Sequence, residues 1–242
     1  MTGGVESAVL SSGGSKVLAT FYVPDDEAPR PAVVLLHALP GSEKNLDLAH
    51  DLRRVGIGCL ALYFRGAWGS GGDFHVDHMV PDARVGLDWL ESHPRVDPQR
   101  LALIGWSLGG WAALTAAAED ARVQATVALA PLVDPATADI PQGLAEEAAQ
   151  VLHGTTPQAL TEGWRGLPAI AGHASALSGR SVLLVTADAD TIFPTAHYFP
   201  LMARLPSIEW VRFPRADHAF ISVRAGLCHT VSRWLLSAFR AE

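Results

Sequence analysis

The chain has 242 residues, of which 49% are apolar and 18% charged. That is enough to bury a substantial core, and it excludes a disordered chain. The formal net charge is −7 and no Lys/Arg run occurs, so nothing favours nucleic-acid binding.

Residues Met1–Leu10 carry neither a basic n-region nor a long apolar stretch, so no secretory signal is expected. The longest apolar runs, Ala32–Leu36 and Gly56–Tyr63, fall well short of the ~20 residues of a membrane span. A soluble, cytoplasmic protein is the expectation. The two cysteines, Cys59 and Cys228, cannot form a disulfide framework. Each sits in an apolar pattern and reads as a small core residue.

In chain order, Val5–Leu10 and Val17–Val23 are β-rich runs around a Ser/Gly turn, which predicts a hairpin. Ala32–His37 is a continuous apolar run, as in a strand buried on both faces. Ser42 is placed to cap a helix running to about Arg54, with Leu46, Leu48, Ala49 and Leu52 on its apolar side. Ile57–Tyr63 is a second buried strand. Phe64–Val76, with Gly66, Gly69, Gly71 and Gly72, is a loop. It holds no phosphate-loop spacing, and Arg65 is expected to anchor it. Asp82–Ser92 is predicted helical, Val96–Gln99 a turn, Leu101–Gly105 a strand, Leu108–Glu119 an Ala-rich helix and Val123–Ala130 a strand.

Residues 131–179 break this rhythm, with helical pieces near Gln142–Leu152 and Pro157–Trp164 and no strand. Ser181–Ala187 (strand), Thr195–Leu205 (helix), Ile208–Phe213 (strand) and Ile221–Phe239 (helix) complete the chain. Strands alternating with helices predict a mostly parallel sheet covered on both faces. One domain over 1–242 is expected, with 131–179 as a lid-like insertion.

Gly105-Trp106-Ser107-Leu108-Gly109 fits G-x-S-x-G between a predicted strand and a predicted helix. A sharp strand-to-helix turn would present the Ser107 hydroxyl at the carboxyl end of the strand. The helix N-terminus would offer free N–H groups to a developing oxyanion. A serine nucleophile needs a base, and the base an orienting carboxylate. Ten histidines compete. His218 alone lies late in the chain in a strand-to-helix loop. His229 falls within the last helix, His37 suits a structural hydrogen bond at the end of its strand, and His197 could line the site. Asp188 and Asp190 both follow Ser181–Thr186, and Asp134 follows the preceding strand; all three are candidate acids.

With these segments the sequence resembles the α/β-hydrolase superfamily, over nearly its whole length. The resemblance rests on Leu36–Gly41, Tyr63–Gly66, Gly105–Gly110, Ala187–Pro194 and Ala216–Phe220. It is similar to the serine esterases of the dienelactone-hydrolase, prolyl-oligopeptidase and feruloyl-esterase neighbourhood. The resemblance implies a mostly parallel, about eight-stranded sheet with helices on both faces and a small helical lid. It implies Ser107 as nucleophile, His218 as base and Asp190, ahead of Phe193-Pro194, as acid. It implies Leu39 and Leu108 as the backbone N–H donors of an oxyanion hole. Ala38 and Ala187 stand where the family usually has glycine.

The expected activity is hydrolysis of small to medium or aryl carboxylic esters through an acyl-enzyme. Peptidase or amidase action, thioesterase or acyltransferase action, and non-catalytic ligand binding are the alternatives. Trp106 and Trp164 are expected to line the substrate site, with Trp111, His153 and His173 nearby. His75, Asp77 and His78 resemble metal-ligand spacing, but nothing completes a set, and no metal or cofactor is expected. The expected partner is a small-molecule ester.

Overall fold

The computed structural model describes residues 3–240. Its strands form one eight-stranded sheet in the order β1-β2-β4-β3-β5-β6-β7-β8. β1 (Gly4–Ser12) and β2 (Ser15–Val23) are the hairpin, and β2 pairs antiparallel with β4 (Gly58–Tyr63). The remaining strands, β3 (Arg30–Leu36), β5 (Val96–Trp106), β6 (Val123–Leu129), β7 (Ser181–Ala187) and β8 (Glu209–Phe213), run parallel to their neighbours. This is the α/β-hydrolase fold.

The apolar run of β3 is buried on both sides of the sheet, as parallel strands are. Ala32, Val34 and Leu36 join one core cluster, which includes residues of α2 (Met79–Ser92) and α3 (Leu108–Glu119). Val33 and Leu35 join the other, beneath α1 (Leu46–Arg54) and the last long helix, Arg224–Ala238. Cys59 and Cys228 are both buried, in this second cluster.

Between β6 and β7 lie α4 (Gln142–Val151), α5 (Pro157–Gly166), a 3-10 turn (Ile170–His173) and α6 (Ala174–Leu177). After β7 come a 3-10 turn (Thr195–Tyr198) and α7 (Phe199–Arg204). A 3-10 turn (Ile221–Val223) leads into the last helix, α8.

Several boundaries differ from the sequence reading, three of them for a visible reason. Helix α1 begins at Leu46, and Ser42 does not cap it. Asn45 takes a left-handed conformation (φ 53°) that interrupts the helix, and the Glu43 carboxylate accepts its N–H at 2.6 Å. The expected turn at Val96–Gln99 lies inside β5. Asp97 accepts the Gln99 N–H there, and the pairing with β3 slips between Arg30 and Ala32. The turn chemistry is present, absorbed as a bulge. Helix α2 starts three residues early, after the 3-10 turn Val76–His78.

Arg65 anchors the Gly-rich loop. The Asp82 carboxylate accepts the Arg65 backbone N–H at 2.9 Å and its Nε–H at 2.7 Å. Both side chains are buried, at 8% and 0% exposure. Removing one member of such a pair strands the other charge and costs about 3–5 kcal/mol. At about 2–4 °C per kcal/mol for a chain of this size, Asp82→Ala is expected to lower the melting temperature by roughly 10 °C. Asp51→Ala, which breaks an exposed pair with Arg54, is expected to move it by no more than about 2 °C. Equal effects in thermal denaturation would contradict the assignment.

Candidate active site

The strand β5 ends at Trp106 and α3 begins at Leu108, so Ser107 alone makes the turn. Its backbone has φ 54° and ψ −118°, a conformation rare for a residue with a side chain. Hydrogen bonds hold it there. The Ser107 N–H donates to the Leu129 carbonyl at 2.9 Å, and the Ser107 carbonyl accepts from Leu132 at 3.1 Å. The flanking glycines are needed because backbones meet. A Cβ on Gly105 would lie 2.0 Å from the Gly109 carbonyl oxygen; one on Gly109 would lie 2.4 Å from that of His37.

The same approach brings the loop after β3 against the elbow. Leu108 opens α3, so its N–H lacks an intrahelical acceptor, as at any helix start. Leu39 is three residues beyond the end of β3. His37, buried between them, donates from Nδ1 to the Ala38 carbonyl at 2.8 Å, and its Nε2 faces the Phe64 N–H at 3.4 Å. It is the structural histidine that the sequence suggested.

Beyond β7 the two aspartates part. Asp188 forms a two-point ion pair with Arg212, at 2.9 and 3.0 Å. Asp190, buried, receives the backbone N–H groups of Ile192 and Phe193 on Oδ1, at 2.8 and 2.9 Å. Its Oδ2 accepts from His218 Nδ1 at 2.7 Å. Asp134 closes its own turn, accepting from Ala136. His218 is braced further. Its carbonyl accepts the Trp106 indole N–H at 2.9 Å, the Trp106 ring lies 5.6 Å away, and Phe193 meets it edge-on at 5.3 Å. The residue before the serine therefore holds the loop that carries the histidine.

Phe193 is the centre that the sequence reading passed over. Besides touching His218 and Asp190, it stacks on Trp164 at 6.1 Å and on His197 at 4.8 Å. An aromatic three residues after a candidate acid was the available signal. Trp164 was expected to face substrate. It is instead 1% exposed, with its indole N–H on the Ala138 carbonyl at 2.7 Å. Trp111 likewise donates to Pro168, at 3.0 Å. His229 is exposed on α8. The residues His75, Asp77 and His78 gather no further ligands, and no group of three or more His, Cys, Asp or Glu among the described residues could hold a metal. No helix among them is long and apolar enough to cross a membrane.

A cleft of about 530 Å³ runs between Ser42–Asp47 and the Ala219–Arg224 segment. Ala219, the chain neighbour of His218, is among the residues that line it. Ile221, in its lining, is exposed, as is Trp68, and the Lys44 ammonium sits 4.0 Å over the Trp68 ring.

Two buried histidines resist protonation. Burial pushes His37 down to about 4, aided by the Lys44 charge and opposed by its bond to Ala38. Burial pushes His197 to about 4 as well, opposed by Asp134 and Asp190. Unfolded histidines titrate near ~6.5, so between about 6.5 and 4 the unfolded chain binds more protons than the folded one. Stability must then fall as pH drops through that window, and level off below it. Each site contributes on the order of 3 kcal/mol across the window. Urea midpoints measured from pH 7 to pH 4 should show the loss, and His197→Gln should reduce its slope. An unaltered slope in that variant would contradict the assignment.

Known proteins resemble the chain in sequence and in fold. The polyketide transferase ATR5 of Stachybotrys chlorohalonatus is 34% identical over 110 residues, 43% of this chain and 37% of that protein. The chain spans about a third to a half of the length of the curated relatives it matches. DcsB, solved in complex with its substrate analogue, superposes with a TM-score of 0.83 at 15% identity, over 98% of this chain and 100% of that one. Est1E from Butyrivibrio proteoclasticus, solved with ferulic acid bound, gives 0.81 at 17% identity, over 96% and 99%. The prolyl oligopeptidase family (peptidase family S9) matches residues 51–241, from within α1 to beyond the end of α8. The chain belongs to that family of α/β hydrolases.

Proposed function

We propose that this hydrolase cleaves carboxylic esters through an acyl-enzyme formed on Ser107. The carrying observation is the 2.7 Å bond between His218 Nδ1 and Asp190 Oδ2, with His218 braced by Trp106, the neighbour of Ser107. His218 then presents Nε2 as a base. It takes the Ser107 proton as Oγ attacks the carbonyl, and gives it to the leaving alcohol. Asp190 keeps the Nδ1–H tautomer and stabilises the imidazolium. The N–H groups of Leu39 and Leu108 receive the oxyanion. Water, deprotonated by His218, releases the acid.

The cleft beside Ala219 and Ser42 is the natural place for one arm of the ester, with Trp68 and Ile221 supplying apolar contact. Ferulic acid bound to the fold-mate Est1E favours an aryl or hydroxycinnamoyl group there. Trp106 and Trp164 influence the substrate indirectly in this reading, through His218 and Phe193. Similarity to a polyketide transferase favours a second reading, in which an alcohol or amine replaces water as acyl acceptor. Competing alcohols in the assay separate the two, and an anilide beside the matching ester tests amide cleavage.

A fluorophosphonate probe is expected to label the wild type at Ser107, and p-nitrophenyl and feruloyl esters to turn over. Ser107→Ala should lose labelling and cut kcat by on the order of 10⁶ with the fold intact by circular dichroism. Retention of more than a few per cent of activity would overturn the nucleophile. Asp190→Asn should lower kcat by about 10⁴, whereas Asp188→Asn should leave it within about threefold, since Asp188 is spent on Arg212. The reverse ranking would move the acid to Asp188.

A further inference from the structure

The strand that flanks the nucleophile does not end in a free loop. Residues 130–133 are pinned in four directions. Ala130 N–H donates to Val185 of β7 at 2.8 Å, Leu132 N–H to the Ser107 carbonyl at 3.1 Å, and the Val133 carbonyl accepts from Ile170 at 2.8 Å. The fourth bond is the only one that runs through a side chain: Val133 N–H donates to His197 Nε2 at 2.9 Å.

His197 lies in the 3-10 turn Thr195–Tyr198 that follows the acid loop. Its ring stacks on Phe193 with centroids 4.8 Å apart and planes 14° from parallel. Phe193 gives its N–H to Asp190 and its edge to His218. A continuous path therefore joins the Ser107 carbonyl, Leu132-Val133, His197, Phe193 and the Asp190–His218 pair.

We infer that His197 is a positioning residue, which keeps the acid loop in register with the nucleophile elbow by accepting the Val133 amide proton while stacking on Phe193. The inference rests on the hydrolase reading above. The tautomer is fixed by its neighbours. Nε2 must be the lone-pair nitrogen to accept, so Nδ1 carries the proton and donates it to Thr137 Oγ1 at 3.0 Å. Thr137 in turn donates to the Asp134 carbonyl at 3.1 Å. Charging the ring would set one N–H against another, and burial keeps the ring neutral. The carboxylates acting on it are Asp134 and Asp190. An apolar side chain in its place would leave the Val133 N–H buried and unpaired.

The experiment uses the full chain and three variants. Glutamine reaches the position of Nε2 with a carbonyl oxygen, asparagine reaches only that of Nδ1, and alanine reaches neither. With a p-nitrophenyl ester, His197→Ala and His197→Asn are expected to lower kcat by about tenfold or more while KM stays within about twofold, since misplacement of catalytic groups falls on the chemical step. Fluorophosphonate labelling of Ser107 should slow by a similar factor. His197→Gln should recover to within about threefold of wild type. All rates are read well below each variant's melting temperature, and if His197→Ala does not fold, the Gln and Asn pair decides.

A folded His197→Ala with wild-type kcat, equal behaviour of Gln and Asn, or a loss confined to KM would overturn the positioning role. A wild type that neither hydrolyses nor labels would overturn the hydrolase reading and this inference with it. An active wild type with indifferent variants overturns the inference alone.

Discussion

The backbone of Gly109 lies so close to the carbonyls of Leu36 and His37 that a first side-chain carbon would sit 2.6 and 2.4 Å from them. This approach makes the end of β3, the turn after β5 and the first turn of α3 a single joint. The backbones of the two loops it joins are thereby held close together. The strained backbone of Ser107 is held by bonds to β6 and to the residues that follow it. The strain is local; its support comes from the neighbouring strand and the residues beyond it.

Histidines in this region have contrasting environments. His37 and His197 are buried, and burial disfavours a charge on either ring. They serve as shaped, neutral donor–acceptor pieces. His218 has a carboxylate on one nitrogen, so a positive charge on its ring has a counter-ion in place. Asp190 is aimed for that task by two backbone N–H bonds on its other oxygen. Asp188, the nearby alternative, is occupied by Arg212.

Most of the sheet was legible because its signals are local: apolar runs for buried strands, a glycine-flanked serine between a strand and a helix, and Phe193-Pro194 after one of two aspartates. Helix α3 and strand β7 fall where the pattern put them. The start of α1 did not, because what organises it is distant. Arg224 reaches back from α8 to Asn45 and Asp47 across more than half the chain. The burial of Trp164 and the hub at Phe193 escaped for the same reason. An aromatic in a helical pattern does not reveal which partner covers it, and that partner lies in another segment. His197 gave a position in sequence but no hint that its acceptor would be spent on Val133.

The segment between β6 and β7 is fastened to the rest of the site at several points. Trp164 stacks on Phe193, Trp111 donates to Pro168, and His153 exchanges backbone bonds with Gly66 and Phe74. A chimera that exchanged residues 131–179 alone with those of a relative would carry half of each fastening and face foreign partners on the other side. The transplantable unit is larger and discontinuous: the segment itself, the glycine-rich loop that clasps it, and the aromatic face of the acid loop. Recombination points that respect those seams lie at the two ends of the glycine-rich loop, in β6, in β7 before Ala187, and beyond Tyr198.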